Sequence, residues 1–289
     1  MMSQTIASAL REGATILGHA GVVDATRDAR ALLALAISRD FSYLLAHSSD
    51  SLTQKEDDLF NTFIARRAGH EPLQYIKGYQ EFFKLDFEVT RDVLIPRPET
   101  ELIVETSLEL LRKVSAPVIA DIGTGSGCIA ISLLHELPQA RAVATDVSSD
   151  ALRVAQRNAE KHGVADRLTL NESDCFSAIN SHARFSLIAS NPPYVADQEL
   201  DTLAPEVRNY EPRAALTCGE DGLNVIRRLL AEAPQFLGSG SYLVFEIGFK
   251  QSEAVKEMIS NRIWQLLEIR ADLQGIPRTV VLKRTTGSV

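Results

Sequence analysis

The chain has 289 residues, with 30 Lys and Arg against 38 Asp and Glu and a formal charge of −8. Its 45% hydrophobic and 24% charged residues are those of an ordinary globular protein, and the length favours two domains. The widely spaced Cys128, Cys175 and Cys218 exclude a zinc ribbon or a Cys-x-x-Cys redox motif and suit a reducing, cytoplasmic setting. No basic-then-apolar leader opens the chain and no apolar run approaches the roughly 20 residues of a membrane span, so neither export nor a membrane is expected. The scattered histidines have no metal-ligand spacing, so no metal is expected either.

Residues 1–74 read as a small all-α domain. Ala7, Leu10, Ala14 and Leu17 recur at helical spacing, and Asp24 is placed to cap a second helix carrying Ala29, Leu32, Leu33, Ala36 and Ile37. Thr53 with Glu56 three residues on is a capping box, opening a helix that should stop at Gly69. This domain is either a packing accessory or a partner-docking module. From Tyr75 to Val93 the period changes to two, with Leu85, Phe87 and Val89 alternating with Asp86 and Glu88, so residues 75–94 read as a linking β-hairpin.

Residues 95–289 begin with the stiff Ile95-Pro96-Arg97-Pro98 segment and a helix from near Glu99, then alternate strand, loop and helix. Strands are expected at 118–122, 142–145, 168–170, 185–190 and 242–247, with helices at 128–137, 149–163 and 222–236 between them. Two late strands, 264–269 and 279–283, are expected as an antiparallel edge. The pattern is that of an α/β fold with a Rossmann-like parallel sheet covered by helices, whose ligands sit at the carboxyl ends of the strands.

Four such ends carry chemistry. After the first strand, Gly123-Thr124-Gly125-Ser126-Gly127 has the GxGxG spacing associated with S-adenosylmethionine rather than with a pyrophosphate cofactor. Asp146 ends the second strand, where a carboxylate accepts both hydroxyls of a ribose; a charge at the next helix N-terminus is the duller explanation. Asp174 and Cys175 follow the third strand, where a carboxylate and a backbone N–H can meet adenine, or where they form a plain loop.

The fourth strand runs into Asn191-Pro192-Pro193-Tyr194. Amide and aryl nitrogens are poor nucleophiles because their lone pairs are delocalised. The Asn191 side-chain oxygen and the Pro192 carbonyl supply two acceptors that grip a planar –NH2 and orient it towards a methyl donor. The prolines stiffen the loop, and Tyr194 is expected to stack on the flat target group. The motif selects N-methyl transfer but not the molecule that carries the –NH2.

With these motifs in hand, the chain resembles the release-factor glutamine methyltransferases, the HemK/PrmC family, over nearly its whole length. The resemblance rests on the helical domain, the hairpin, Ile95 to Glu101, the glycine loop, Asp146, Asn191 to Tyr194 and Glu246-Ile247-Gly248. It implies methyl transfer from S-adenosylmethionine to the glutamine side-chain amide of the Gly-Gly-Gln loop in class-1 peptide chain release factors. It implies that Gly123 to Gly127 and Asp146 hold the cofactor, and that Asn191 to Tyr194 hold the glutamine. Arg97 and Thr100 match the family segment, which places them near the donor's methionine end; a helix-initiating role for Pro98 and Glu99 is the duller alternative. Glu211 lines the substrate mouth or forms a loop salt bridge. Members often carry Trp where this chain has Cys175, which bears on aromatic packing against adenine but not on a backbone contact.

A ribosomal-protein glutamine methyltransferase is the nearest alternative. A DNA or RNA amino-methyltransferase needs a basic phosphate grip, whereas residues 1–75 hold seven basic and nine acidic side chains, so direct nucleic-acid binding is not expected. A non-catalytic binding module is disfavoured by the intact Asn191 to Tyr194 motif.

Overall fold

A computed structural model describes residues 4–285, which fold as two compact units. The first holds the N-terminal residues through Tyr79 together with Ala204–Tyr210; the second holds Gln80–Leu203 and the chain from Glu211 onward.

The first unit is helical: α1 (Ile6–His19), α2 (Ala25–Ile37), α3 (Phe41–Ala46), α4 (Gln54–Ala68) and α5 (Leu73–Lys77). The Thr53–Glu56 capping box is present, and Gly69 ends α4. Two expectations change in detail. Asp24 sits at the start of α2, but its backbone is turned away from capping geometry and its carboxylate pairs with Arg27 at 3.3 Å. In α1 the fully buried stripe is Ile6, Ala9, Gly13 and Leu17, while Leu10 and Ala14 flank it. The reason is Gly13: a Cβ there would lie 2.7 Å from Phe60 of α4, so the helices meet where α1 is thinnest, not where it is most apolar. Tyr75 is helical, in α5, so the two-residue period takes hold only after Gly78.

The second unit opens with the hairpin strand β1 (Tyr79–Phe82, its first residue counted with the helical unit) and β2 (Leu85–Glu88). There follow α6 (Glu101–Leu111), β3 (Val118–Ile122), α7 (Cys128–Glu136), β4 (Arg141–Asp146), α8 (Ser149–Lys161), β5 (Leu168–Glu172) and β6 (Phe185–Ser190). After α9 (Pro205–Tyr210), which belongs to the helical unit, come α10 (Asn224–Glu232), β7 (Leu237–Glu246), α11 (Ser252–Met258), β8 (Trp264–Ala271) and β9 (Pro277–Arg284). The sheet order is β5-β4-β3-β6-β7-β9-β8, parallel through β7, with β9 and β8 the expected antiparallel pair. Strand β7 begins earlier than expected; its Gly-Ser-Gly-Ser stretch lacks β-propensity, yet Leu237 pairs with Phe185.

Both faces of the sheet are buried. Ile119, Leu187 and Val244 enter one core, while Ala120, Ile188 and Phe245 enter the other. Burial on both faces explains why these strands are apolar runs rather than alternating ones. Helix α8 holds the hairpin: fully buried Asn158 accepts from Glu88 N–H at 2.7 Å and donates to the carbonyls of Glu88 (3.0 Å) and Ser126 (2.9 Å). Arg157 adds a pair with Glu88 at 2.6 Å. Among the described residues no helix is long and apolar enough to cross a membrane.

Candidate active site

The loops after β3, β4, β5 and β6 enclose a cleft of about 270 Å³, closed on another side by Asp92–Leu94, Pro96 and Thr100. It lies where an α/β sheet places its ligands, at the carboxyl ends of the strands where the order reverses around β3. Gly123 to Ser126, Asp146, Asp174, Cys175 and Asn191 to Pro193 all line it.

The glycine loop is anchored by Gly123 and Thr124 N–H groups donating to the Thr145 carbonyl at 2.8 and 2.9 Å. Its three glycines have positive φ, 74°, 54° and 83°, but different surroundings. A Cβ on Gly123 or Gly125 would meet nothing within 4 Å, so these two leave the cleft open to a ligand. Gly127 is outside the cleft lining. A Cβ there would lie 2.7 Å from Ile131 and 3.3 Å from Ala155 of α8, so this glycine lets two helices close on each other.

Asp121, at the end of β3, was not read as a site residue. It is fully buried and accepts at Oδ2 from the Thr124 hydroxyl (2.7 Å) and Ala130 N–H (3.2 Å), while Oδ1 has no partner among the described residues. Burial, and then the nearby Asp146, push its carboxyl up to about 6. The available signal was an acid interrupting an apolar strand just before the glycines.

Asp146 accepts one N–H at each oxygen, from Gly125 (2.9 Å) and Ser148 (3.0 Å), so each oxygen keeps acceptor capacity. Burial raises its pKa. Asp174 lines the cleft, but Oδ1 is held by Arg228 at 2.5 Å. Cys175 is buried with φ 51°, and burial raises its thiol to about 11. Its carbonyl is taken by Thr145 and Ser173 hydroxyls, whereas no acceptor among the described residues meets its N–H.

The Asn191 loop leaves β6 after Ser190, whose hydroxyl donates to the Ile122 carbonyl at 2.7 Å. Asn191 Nδ2 donates to Thr100 Oγ1 at 2.9 Å, and among the described residues no donor reaches Asn191 Oδ1 or the Pro192 carbonyl. The next two carbonyls are taken: Pro193 by the Cys218 thiol (2.9 Å), Tyr194 by Gln251 Nε2 (2.9 Å). Tyr194 itself is not in the cleft lining; its hydroxyl donates to Glu246 at 3.1 Å, a bond that braces the loop. Gln251 and Glu246, distant in sequence, were not read as supports of this loop. Arg97 is likewise outside the lining, bonded to buried Glu211 at 2.6 Å, so both residues form the loop salt bridge while their neighbours Pro96 and Pro212 reach the cleft.

The family model of the PrmC N-terminal domain matches residues 8–78, and that of the methyltransferase small domain matches residues 100–208. The chain is 44% identical over 264 residues to the release factor glutamine methyltransferase of Geobacter sulfurreducens, covering 91% of each. It is 43% identical over 276 residues to the release factor glutamine methyltransferase of Cereibacter sphaeroides, covering 95% of this chain and 96% of the relative. Among solved structures, the hMettl16 catalytic domain in complex with MAT2A 3'UTR hairpin 6 shares the fold alone, with a TM-score of 0.57 and 18% identity over 78% of this chain and 83% of that one. With a glycine loop, Asp146 and Asn191 gathered around one cleft, and with this identity over more than nine-tenths of its length, the chain belongs to the release factor glutamine methyltransferase family.

Proposed function

We propose that Gly123 to Ser126, Asp146, Asp174 and Cys175 hold S-adenosylmethionine, and that Asn191 and Pro192 present to it the glutamine of the Gly-Gly-Gln loop of a class-1 release factor. The enzyme is a protein-(glutamine-N5) methyltransferase. The observation that carries the reading is the pair of unpartnered acceptors, Asn191 Oδ1 and the Pro192 carbonyl, lining the same cleft as Asp146.

The residues fit the cofactor. Asp146 has acceptor capacity left at both oxygens for ribose hydroxyls, the Cys175 N–H is available to a ring nitrogen, and Asp174 keeps one oxygen for an amino group. The open space over Gly123 and Gly125 admits a ligand against the backbone. When bound, S-adenosylmethionine supplies an electrophilic methyl on a sulfonium.

An amide –NH2 has two hydrogens, and two fixed acceptors fit them. They hold the nitrogen in line for attack and stabilise the positive charge that grows on it. No strong base is needed in the loop, because the alkylated nitrogen becomes acidic and loses its proton afterwards. Pro192 and Pro193 restrict the backbone, so the acceptors need little reorganisation during transfer.

A release-factor substrate places the reaction in the cytoplasm, with the helical unit as the docking module for that protein. The test is a labelled-methyl assay offering intact release factor, ribosomal protein and DNA side by side, with the labelled residue located by mass spectrometry. Label on the Gly-Gly-Gln glutamine is expected; label confined to ribosomal protein or to DNA overturns the substrate.

A further inference from the structure

Behind the Asn191 loop, three side chains are linked to one buried carboxylate far from them in sequence, two of them directly and Asn191 through Thr100. Asn191 Nδ2 meets Thr100 Oγ1 at 2.9 Å, the Thr100 hydroxyl meets Glu246 Oε2 at 2.6 Å, and the Tyr194 hydroxyl meets Glu246 Oε1 at 3.1 Å. Thr100 and Glu246 are each 1% exposed.

The chemistry of the groups dictates the direction of every bond. Burial raises the Glu246 pKa, while the Thr100 and Tyr194 hydrogen bonds and the charge of Arg278 favour its carboxylate; that carboxylate has no proton, so both hydroxyls donate to it. Thr100 has a single proton; having given it to Glu246, it only accepts from Asn191. An amide donates only from its –NH2, so that end turns to Thr100 and the oxygen turns the other way. The two amide orientations differ by a half-turn and have nearly the same shape, so packing alone does not choose between them. The wrong one would set the Asn191 –NH2 against the substrate N–H that its oxygen is placed to accept.

We propose that Glu246, acting through Thr100, is a positioning residue that fixes the rotation of the Asn191 amide so that its oxygen meets the substrate. This rests on Asn191 being the substrate acceptor. Replacing Glu246 by Gln supplies an –NH2 that can donate to Thr100. The Thr100 proton is then released to Asn191 Oδ1, and the bond direction along the whole chain reverses. Replacing Thr100 by Val breaks the link at nearly constant volume. Thr100 makes no side-chain cap to α6, so no helix cap is lost with it.

The experiment compares T100V, T100S, E246Q and N191A, using intact release factor and S-adenosylmethionine. It measures kcat, KM for the release factor, calorimetric cofactor affinity and melting temperature. T100V and E246Q should each lose about 100-fold in kcat, the order expected when a preorganised polar contact to a reacting group is lost. Cofactor affinity should stay within a few fold, and T100S, which keeps the hydroxyl, should recover turnover to within a few fold of the parent. Should E246Q fail to fold, the T100V and T100S pair decides by itself. T100V and T100S turning over alike, while N191A is inactive, overturns the positioning chain and leaves the Asn191 assignment standing. N191A turning over like the parent overturns the assignment itself, and the positioning chain with it.

Discussion

Two substitutions in the glycine loop separate a packing role from a ligand role. Gly127→Ala puts a methyl 2.7 Å from Ile131 Cδ1 and 3.3 Å from Ala155 Cβ at φ 83°. The left-handed backbone costs an alanine about 1–2 kcal/mol. Ile131 can shift its far end, but Ala155 is fixed on α8, and overpacking of this kind costs roughly 1–3 kcal/mol. The sum, about 3 kcal/mol, corresponds to a melting temperature lower by roughly 6–12 °C in a domain of this size. Gly125→Ala has φ 54° and no neighbour within 4 Å, so only the backbone cost of about 1–2 kcal/mol applies. Its methyl instead faces the cleft, and the main loss is in cofactor binding. Thermal and denaturant unfolding without cofactor, paired with calorimetric titration of S-adenosylmethionine, gives both quantities. If Gly127→Ala unfolds with Gly125→Ala and loses more cofactor affinity, the packing role assigned to Gly127 is wrong.

Asp146→Ala should weaken S-adenosylmethionine binding by roughly 1–3 kcal/mol, the cost of stranding polar partners; unchanged affinity by calorimetry removes Asp146 from the site. Asp121 is raised from 3.8 to about 6 by burial, so the folded protein binds the extra proton and this residue's contribution to stability falls as pH rises through that window. At 1.36 kcal/mol per pH unit the full cost is about 3 kcal/mol above pH 6, and about 1.4 kcal/mol of it returns by pH 5. The unfolding free energy of the parent relative to Asp121→Asn should therefore improve by that amount between pH 7.5 and pH 5, and a constant difference contradicts it. Asn158→Ala strands two Glu88 groups and the Ser126 carbonyl and should cost about 2–4 kcal/mol, with faster amide exchange at Glu88; a loss under about 1 kcal/mol means that the hairpin is held by packing.

Strands 118–122 and 185–190 have the extents expected, because strands buried on both faces appear as short apolar runs bounded by turn residues. The Thr53–Glu56 box and the Gly69 stop are likewise signals contained within one helix. The residues around the cleft were legible because every chemical motif falls at the end of a parallel strand, where topology gathers them.

The sequence by itself determined the class of fold, the order of its strands and which loops line the cleft, since each depends on residues only a few positions apart; it carried no sign of α9 or α11. It did not distinguish Gly125 from Gly127, place α1 against Phe60 through Gly13, or pair Arg97 with Glu211 and Thr100 with Glu246. Those outcomes depend on atoms 114 and 146 positions apart, or on different helices, meeting at contact distance. No local propensity encodes such a meeting, so only the packed tertiary structure decides which glycine is open, which acid is paired, and which end of the Asn191 amide faces Thr100.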